Sequence, residues 1–467
     1  MAGKQHKDTE KNWFWRTIDS IEGDKVVWII VLLLSMFSIL AIFSSTSLLR
    51  EGSKDRIDFI TEHIIVAGIG LGITFVLYKV PWIGAFRALS KIGFAVSVFF
   101  LLLLDFHVKI PGVVEAEYIN GAWRTLRILG QQFHVFEVVK VAMVLYLAWA
   151  MYAYKQDQDA AKKGKKSRYL KTANWFRDTK YLHVISSPLG KRILYMYLPI
   201  GAVCGMIMPG SNSSALFIGF ILIVVLLICD LPKKEIVLTG LFGLVVAGAL
   251  VGIHFASGGK KIKRVETLIS RIQADYDATR RLEGLRPGSI DFQEALDEIK
   301  QPYSAKIAVH EGGLIGKRSG NSTQKYVVSN IYGDYMYSFI IEEYGLIGGI
   351  IVLFLYVTLL ARGALIAKNC SNEYAKIAVG GLSILITGQA FMHMMVNVGL
   401  MPMTGQTLPL ISHGSFAFVV FCIAFGVILS ISRMAQKKLR EEEEAAKPLY
   451  ESEKDDIQVT MDVLEQL

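Results

Sequence analysis

Val26-Val-Trp-Ile-Ile-Val-Leu-Leu-Leu-Ser-Met-Phe-Ser-Ile-Leu-Ala-Ile-Phe43 runs for 18 residues without a charge. It exceeds the core of a secretory leader and no A-x-A cleavage site follows, so it is expected to remain in a membrane as a helix. Further apolar runs centre on Ile64 to Tyr78, Ile92 to Leu104, Val141 to Ala153, Ile193 to Met208, Ser214 to Cys229, Ile236 to Ala256, Tyr344 to Ala361, Ile377 to Val396 and Ser415 to Ser432, which makes ten. Each crossing of a hydrocarbon core takes about 20 mostly apolar residues as helix. A chain of 467 residues, 52% apolar and 19% charged, with a mean hydropathy of +0.41, supplies them. The expected fold class is therefore all-α, a polytopic protein of ten transmembrane helices. It divides into an N-terminal tail over 1–25, a membrane domain over 26–432 and a C-terminal tail over 433–467.

The net charge of +9 is local, which makes it a topology signal before a partner signal, and nucleic acid is not an expected partner. Lys155 to Lys180 holds nine Lys and Arg against three Asp and belongs on the cytoplasmic side. Lys4 to Arg16, Asp230 to Lys234, Arg362 to Lys368 and Arg433 to Arg440 fall on the same side if ten spans alternate, so both termini are expected to be cytoplasmic. The acidic stretch beyond Arg440 reads as a solvated, disordered end. Alternation also leaves one large extracytoplasmic loop, residues 257–334, between the seventh and eighth spans. Within it, helical periodicity from Val265 is broken at Arg286-Pro-Gly288 and resumes in a short helix that Ser289 or Asp291 is placed to cap. The four cysteines lie in separate apolar stretches without CxxC spacing, against a disulfide framework or a zinc site.

Three polar clusters interrupt the apolar pattern. Glu137 and Lys140 share one helical face at the start of the fourth span, either as a structural ion pair or as the wall of a charged cavity. Asn120-Gly-Ala-Trp-Arg124 precedes them and presents a guanidinium whose planar fork suits a phosphate. Glu311-Gly-Gly-Leu-Ile-Gly-Lys317 is followed by Ile331-Tyr-Gly-Asp-Tyr335 and by Glu342-Glu343. Its glycines and lysine are not a Walker A loop, and Asp334 reads either as an N-cap or as a carboxylate at the water–membrane border suited to be a base. Asn397 to Phe416 holds Pro402, Gly405, Pro409 and Gly414 among apolar residues, with His393, Ser412 and His413 as polar contacts. It is too broken for a helix and too apolar for a solvated loop, so it must be buried or line a cavity.

Taken in order, these motifs resemble the SEDS family (shape, elongation, division and sporulation) of ten-span bacterial membrane proteins. The resemblance runs from Val26 to Arg433, on Asn120 to Arg124 with Glu137-Val-Val-Lys140, Gly312 to Lys317, Gly333 to Gly348 and Gly399 to Gly414. Thr407-Leu-Pro-Leu-Ile-Ser412 is closer to the division branch than to the elongation branch. The resemblance implies an inverting peptidoglycan glycosyltransferase that polymerises lipid II at the outer face of the bacterial inner membrane. Its implied partners are a class B penicillin-binding protein and other membrane proteins of the division complex. The family's catalytic Asp falls on Asp334 and its embedded Glu and Lys on Glu137 and Lys140; Arg124, Lys140 and Lys317 are the cations expected to hold the departing undecaprenyl pyrophosphate. No nucleotide or other cofactor is required, and the pyrophosphate leaves room for a Mg or Mn ion.

The chain departs from the family where His134-Val-Phe136, Thr125 and His413-Gly-Ser415 stand, and Met208-Pro-Gly-Ser-Asn212 lacks the usual carboxylate. Two other classes also accommodate a charged, irregularly walled cavity: a flippase for a lipid-linked precursor, and a non-catalytic division scaffold. Against the flippase, the two halves of the chain show no internal repeat.

Overall fold

The structure, a computed structural model, describes residues 22–46, 56–119, 122–128, 130–165, 167–175, 183–229, 231–241, 243, 285, 289–328 and 331–465. The helix α1 (Lys25–Ser45) is capped by Asp24, whose carboxylate accepts from the amides of Val26 and Val27 at 2.9 and 3.2 Å. It is followed by α2 (Arg56–Lys79), α3 (Ile83–Asp105) and α4 (Val135–Lys162). The helix α5 (Pro188–Arg192) passes through one π-helical segment, Ile193–Tyr197, into α6 (Leu198–Ile207), and α7 (Asn212–Ile228) comes next. Then follow α8 (Ile290–Gly312), α9 (Met336–Asn369), α10 (Glu373–Asn397) and α11 (Ser415–Glu465). Among the described residues seven helices are long and apolar enough to cross a membrane, namely α1 to α4 and α9 to α11, and α7 is a shorter apolar one. The chain is thus a mostly helical, polytopic membrane protein. Most of the seventh expected span and the first part of the 257–334 loop, residues 257–284, with Asn120 and Gly121, lie outside the described residues, while the rest of the loop carries α8.

The apolar surface is arranged for lipid. On α1, Ile29, Met36 and Phe43 recur every seven residues and are 54%, 61% and 52% exposed, while Ile30, Leu34 and Ala41 on the other face are buried. In water such a stripe would drive association; in a bilayer it is the solvent contact. Helix association in lipid then rests on close packing and polar contacts. The helix α10 lies innermost, against α9, α4 and α7, and α2 runs along α11.

Two departures from the sequence expectation bear on the site. The chain is not purely helical, because α3 and α4 are joined by a four-stranded antiparallel sheet in order β1 (Lys109–Ile110), β2 (Val114–Ile119), β3 (Ala122–Ile128), β4 (Gln131–His134). Only β2, Val114-Glu-Ala-Glu-Tyr-Ile119, shows the period-2 alternation of a half-buried strand, and each strand is too short to stand out against the much longer helical runs. The second departure is at the C-terminus, where the acidic stretch continues α11 as helix. Lys437–Glu441 and Lys438–Glu442 pair four residues apart at 3.9 and 3.5 Å, which supports a solvated helix rather than a coil.

End-to-end contacts sort the helices into two sides. The start of α1 meets α9 through Asp24–Arg362 (2.6 Å) and α11 through Asp24 N–Ser432 (2.9 Å), and the Lys155–Glu373 pair joins the end of α4 to the start of α10 at 2.9 Å. At the opposite side lie the end of α1, the start of α2 through Arg56–Phe43 O (2.7 Å), the sheet, the start of α4 and the end of α10. The Lys140 cluster, the turn with Asp334 and the Lys317 cluster are on this second side.

Candidate functional site

Lys140, one turn into α4, is buried and donates three hydrogen bonds: to Glu137 Oε1 at 2.6 Å, Gln389 Oε1 at 2.6 Å and Gln406 Oε1 at 2.8 Å. An ammonium has three donors, so all are committed to the protein. The spacing of Glu137 and Lys140 sets them on one face, and Gln389 of α10 and Gln406 of the broken 397–416 segment complete the shell. Gln406 also donates to Ser214 near the start of α7 at 3.0 Å, so the lysine ties four parts of the chain together. The second oxygen of Glu137, Oε2, is buried without a hydrogen-bond partner among the described residues. A buried, unsatisfied carboxylate oxygen is costly and marks a place for an incoming donor.

From Gln406 a continuous hydrogen-bonded path leads to Asp334. The carbonyl of Gln406 lies 2.7 Å from His393 Nδ1, and His393 Nε2 accepts from the amide of Tyr337 at 3.4 Å, which requires the neutral ring protonated at Nδ1. Asn397 Oδ1 accepts from the amide and hydroxyl of Ser338, both at 2.9 Å, and its Nδ2 donates to the carbonyl of Asp334 at 3.0 Å. Ser412 donates to the carbonyl of Gly333 at 2.8 Å, and the amide of His413 to that of Tyr332 at 2.8 Å. The irregular 397–416 segment therefore fastens both the Lys140 cluster and the turn that carries Asp334. Those contacts also explain why its broken backbone survives at membrane depth.

The N-cap position of α9 is Tyr335, which makes no side-chain cap bond. The amides at its second and third helical positions are satisfied from α10, by His393 and Asn397. The work that an N-terminal Asp would do is thus done by residues some sixty positions later, and the partly buried Asp334 stands just before the helix. His393, Asn397, Gln389 and Gln406 are the residues sequence reasoning passed over or undervalued. The only signal for His393, Asn397 and Gln389 was polar side chains on a buried helix face, and for Gln406 a polar side chain in a broken apolar segment; in a membrane neither occurs often without a partner.

Arg124 sits at a bulge. The β2–β3 register pairs Tyr118 with Trp123 and Glu117 with Thr125, so the ladder shifts by one residue at Arg124. Its Nε donates to the carbonyl of Gly210 at 3.1 Å. A Cβ on Gly210 would fall 2.4 Å from the Phe136 ring and 2.7 Å from the Trp123 carbonyl, so only glycine allows the sheet and the α6–α7 turn to meet. Ser211, next in the turn, caps α7 by accepting from Ser214 N at 3.2 Å.

Lys317 belongs to a separate ion cluster. It bonds Glu311, Thr323 at 2.8 Å and Glu342 at 3.0 Å. That partnership with Lys317 holds the Glu311 carboxyl below the usual range, while hydrogen bonds to Glu311 and Glu342 raise Lys317 against the opposing effect of burial. The reason for the glycines of Gly312 to Lys317 lies in α9, which breaks at Gly345 (φ 71°). The freed carbonyls of Glu342 and Glu343 accept from the amides of Lys317 (2.8 Å) and Arg318 (2.9 Å), and the freed amides of Leu346 and Ile347 donate to Gly313 (2.9 Å) and Leu314 (3.3 Å). The motif is a backbone splint across a helix break, rather than an anion cradle. Glu343 accepts from Ser44 at the end of α1 (2.6 Å). Glu342 and Glu343 thus lie at the same side of the protein as Asp334, not deep in a span.

A family model described as cell cycle protein, FtsW/RodA/SpoVE, matches residues 24–437. A probable peptidoglycan glycosyltransferase FtsW of Geobacter sulfurreducens is 25% identical over 411 residues, which cover 88% of this chain and 95% of the relative. The stage V sporulation protein E of Bacillus subtilis is 25% identical over 423 residues, 90% of this chain and 100% of the relative. Among solved structures, a chain of a peptidoglycan synthase complex that coordinates polymerization and crosslinking superposes with a TM-score of 0.56 at 18% identity, covering 88% of this chain and 98% of that one. The rod shape determining protein RodA of Thermus thermophilus gives 0.51 at 19% identity, over 89% and 98%. At these identities the two structures speak for the fold.

Proposed function

Because this chain belongs to the FtsW/RodA/SpoVE family of cell cycle proteins, we propose that it is a peptidoglycan glycosyltransferase that polymerises lipid II, with a role in cell division. The observation that supports the catalytic assignment is the place of Asp334, half-buried just before α9 at the side of the protein that holds the Lys140 cluster, with its turn fastened by Asn397 and Ser412. The carboxylate of Asp334 then takes the proton of the acceptor 4-hydroxyl as that oxygen attacks the anomeric carbon of the donor sugar. The undecaprenyl pyrophosphate leaves from the opposite face, with inversion. The free energy is already in the sugar–pyrophosphate bond, so no nucleotide is consumed.

The residues of the site divide the remaining work. Arg124, re-aimed by its bulge and held through Nε, is the cation we assign to the pyrophosphate. Lys140 has its donors committed and so acts as a pin, fixing Gln406 and, through it, the path to the Asp334 turn. Glu137 Oε2 accepts from a hydroxyl or amide of the substrate. Lys317, paired with both Glu311 and Glu342, keeps the α8–α9 splint closed. Among the described residues no group of three His, Cys, Asp or Glu side chains converges to hold an ion.

The site side is assigned to the outer face of the inner membrane, because Lys25, Lys79, Lys155, Arg362 and Arg433 gather at the other side. A crosslinking class B penicillin-binding protein is the partner this reading calls for, as a polymerase alone leaves strands unlinked. The deciding experiment is purified protein with that partner and labelled lipid II, resolved on a gel. Wild type makes glycan strands, and Asp334→Asn, which keeps shape and fold, loses about 10²- to 10⁴-fold of the rate. An Asp334→Asn protein that melts normally and polymerises at the wild-type rate would overturn the assignment.

A further inference from the structure

We propose that the β1–β4 sheet carries a saccharide subsite, a place where sugar rings of the glycan strand rest beside the reacting centre. A solvent-open cavity of about 500 Å³ lies on the sheet, lined by Lys109, Glu115, Glu117, Tyr118, Trp123 and Gln132 among others. Its volume suits sugar rings rather than a single ion. The Trp123 and Tyr118 rings, paired across the ladder, meet at 5.3 Å and 66° and form an aromatic corner, with Tyr118 62% exposed. Indole and phenol faces suit the C–H face of a pyranose ring, an apolar patch edged by hydroxyls.

Polar groups are set around that corner. Glu117 is fixed by Arg127 (2.6 Å), Gln132 (2.8 Å) and Thr125 (3.3 Å), so the Gln132 amide is held in place with its oxygen still able to accept from a sugar hydroxyl. The exposed Lys109 places its ammonium over the Trp123 ring, 5.7 Å from the centre, at the edge of the cavity. It can swing aside for a ring and pair with a carboxylate carried by the sugar. Trp123 packs on its other side against His107 at 4.4 Å, which stiffens the platform. No step of the polymerisation derived above uses these residues.

The location supplies the second line of argument. Trp123 directly precedes Arg124, the cation assigned to the pyrophosphate, and β4 leads straight into α4, where Glu137 and Lys140 sit. A sugar on the sheet therefore lies on the strand that carries Arg124, at the same side of the protein as Asp334. The inference rests on the glycosyltransferase reading for the identity of the ligand, yet its test does not require turnover.

The full chain in lipid nanodiscs is titrated with a lipid-free, uncrosslinked GlcNAc–MurNAc tetrasaccharide, and binding is followed by thermophoresis. Saturable binding is expected, weakened at least tenfold in Trp123→Ala, several-fold in Tyr118→Ala and restored in part by Trp123→Tyr. Because Trp123 packs on His107, the exposed Tyr118→Ala variant and melting curves for each protein accompany it. No saturable binding to wild type, or unchanged binding in Tyr118→Ala and Trp123→Ala proteins that melt normally, would overturn the subsite. A parallel lipid II assay on the same samples, with the penicillin-binding partner added, separates the two readings: polymerisation without tetrasaccharide binding sinks only the subsite, and binding without polymerisation sinks only the catalytic assignment.

Discussion

Replacing Lys140 by Met keeps the length of the side chain and removes the charge, so it isolates what the ammonium does. In the structure three oxygens face that nitrogen within 2.8 Å, one of them on a carboxylate only 13% exposed. Taking away one member of a buried pair leaves an uncompensated charge and costs about 3–5 kcal/mol. Glu137→Gln is the converse change, since Gln389 and Gln406 still face the ammonium but its counter-charge is gone, with a cost on the same order. The double variant buries no charge. It leaves amide oxygens short of a donor, about 1–3 kcal/mol, so its cost should fall several kcal/mol short of the sum of the single changes. Denaturant unfolding in nanodiscs, read by circular dichroism, measures all four corners of the cycle. Additivity to within about 0.5 kcal/mol would mean that the two residues do not interact, and the account of Lys140 as the pin of the site would be wrong.

Asn397→Ala removes the acceptor for Ser338 and the donor to the Asp334 carbonyl, and should destabilise by about 1–3 kcal/mol while lowering polymerisation more than Ser371→Ala at the opposite side does. Gly345→Ala places a methyl group 2.2 Å from the Leu314 carbonyl at φ 71°. The strained backbone alone costs on the order of 1–3 kcal/mol, so a sharp loss of folded protein on size-exclusion chromatography is expected, and normal yield would contradict the splint. Glu311 titrates below an ordinary Glu, so its contribution is present above the unfolded value and is lost as pH falls through the folded one. Hydrogen exchange at the Lys317 and Arg318 amides, corrected for intrinsic rates, should therefore speed up below about pH 4, and Lys317→Met should abolish that acid-dependent increment.

The membrane class, the main spans and the rough position of the polar clusters were legible in the sequence, because lipid forces backbone groups to be satisfied within each segment and so writes long apolar runs into the chain. Glu137 and Lys140 could be paired on paper for the same local reason: a spacing of three fixes one helix face. What the sequence could not decide was anything closed over long separations. Gln389 and Gln406 reach Lys140 from some 250 residues away, and the cap of α9 comes from α10 rather than from Asp334. The role of the glycines of Gly312 to Gly316 was hidden because the break at Gly345, thirty residues on, supplies the carbonyls and amides that they partner. The short sheet was hidden because its strands gain their stability from pairing, which is a property of two segments rather than one. Local physics thus set which residues cross the membrane, and only the tertiary structure decided which polar groups are used up in holding the protein together and which are left to meet a substrate.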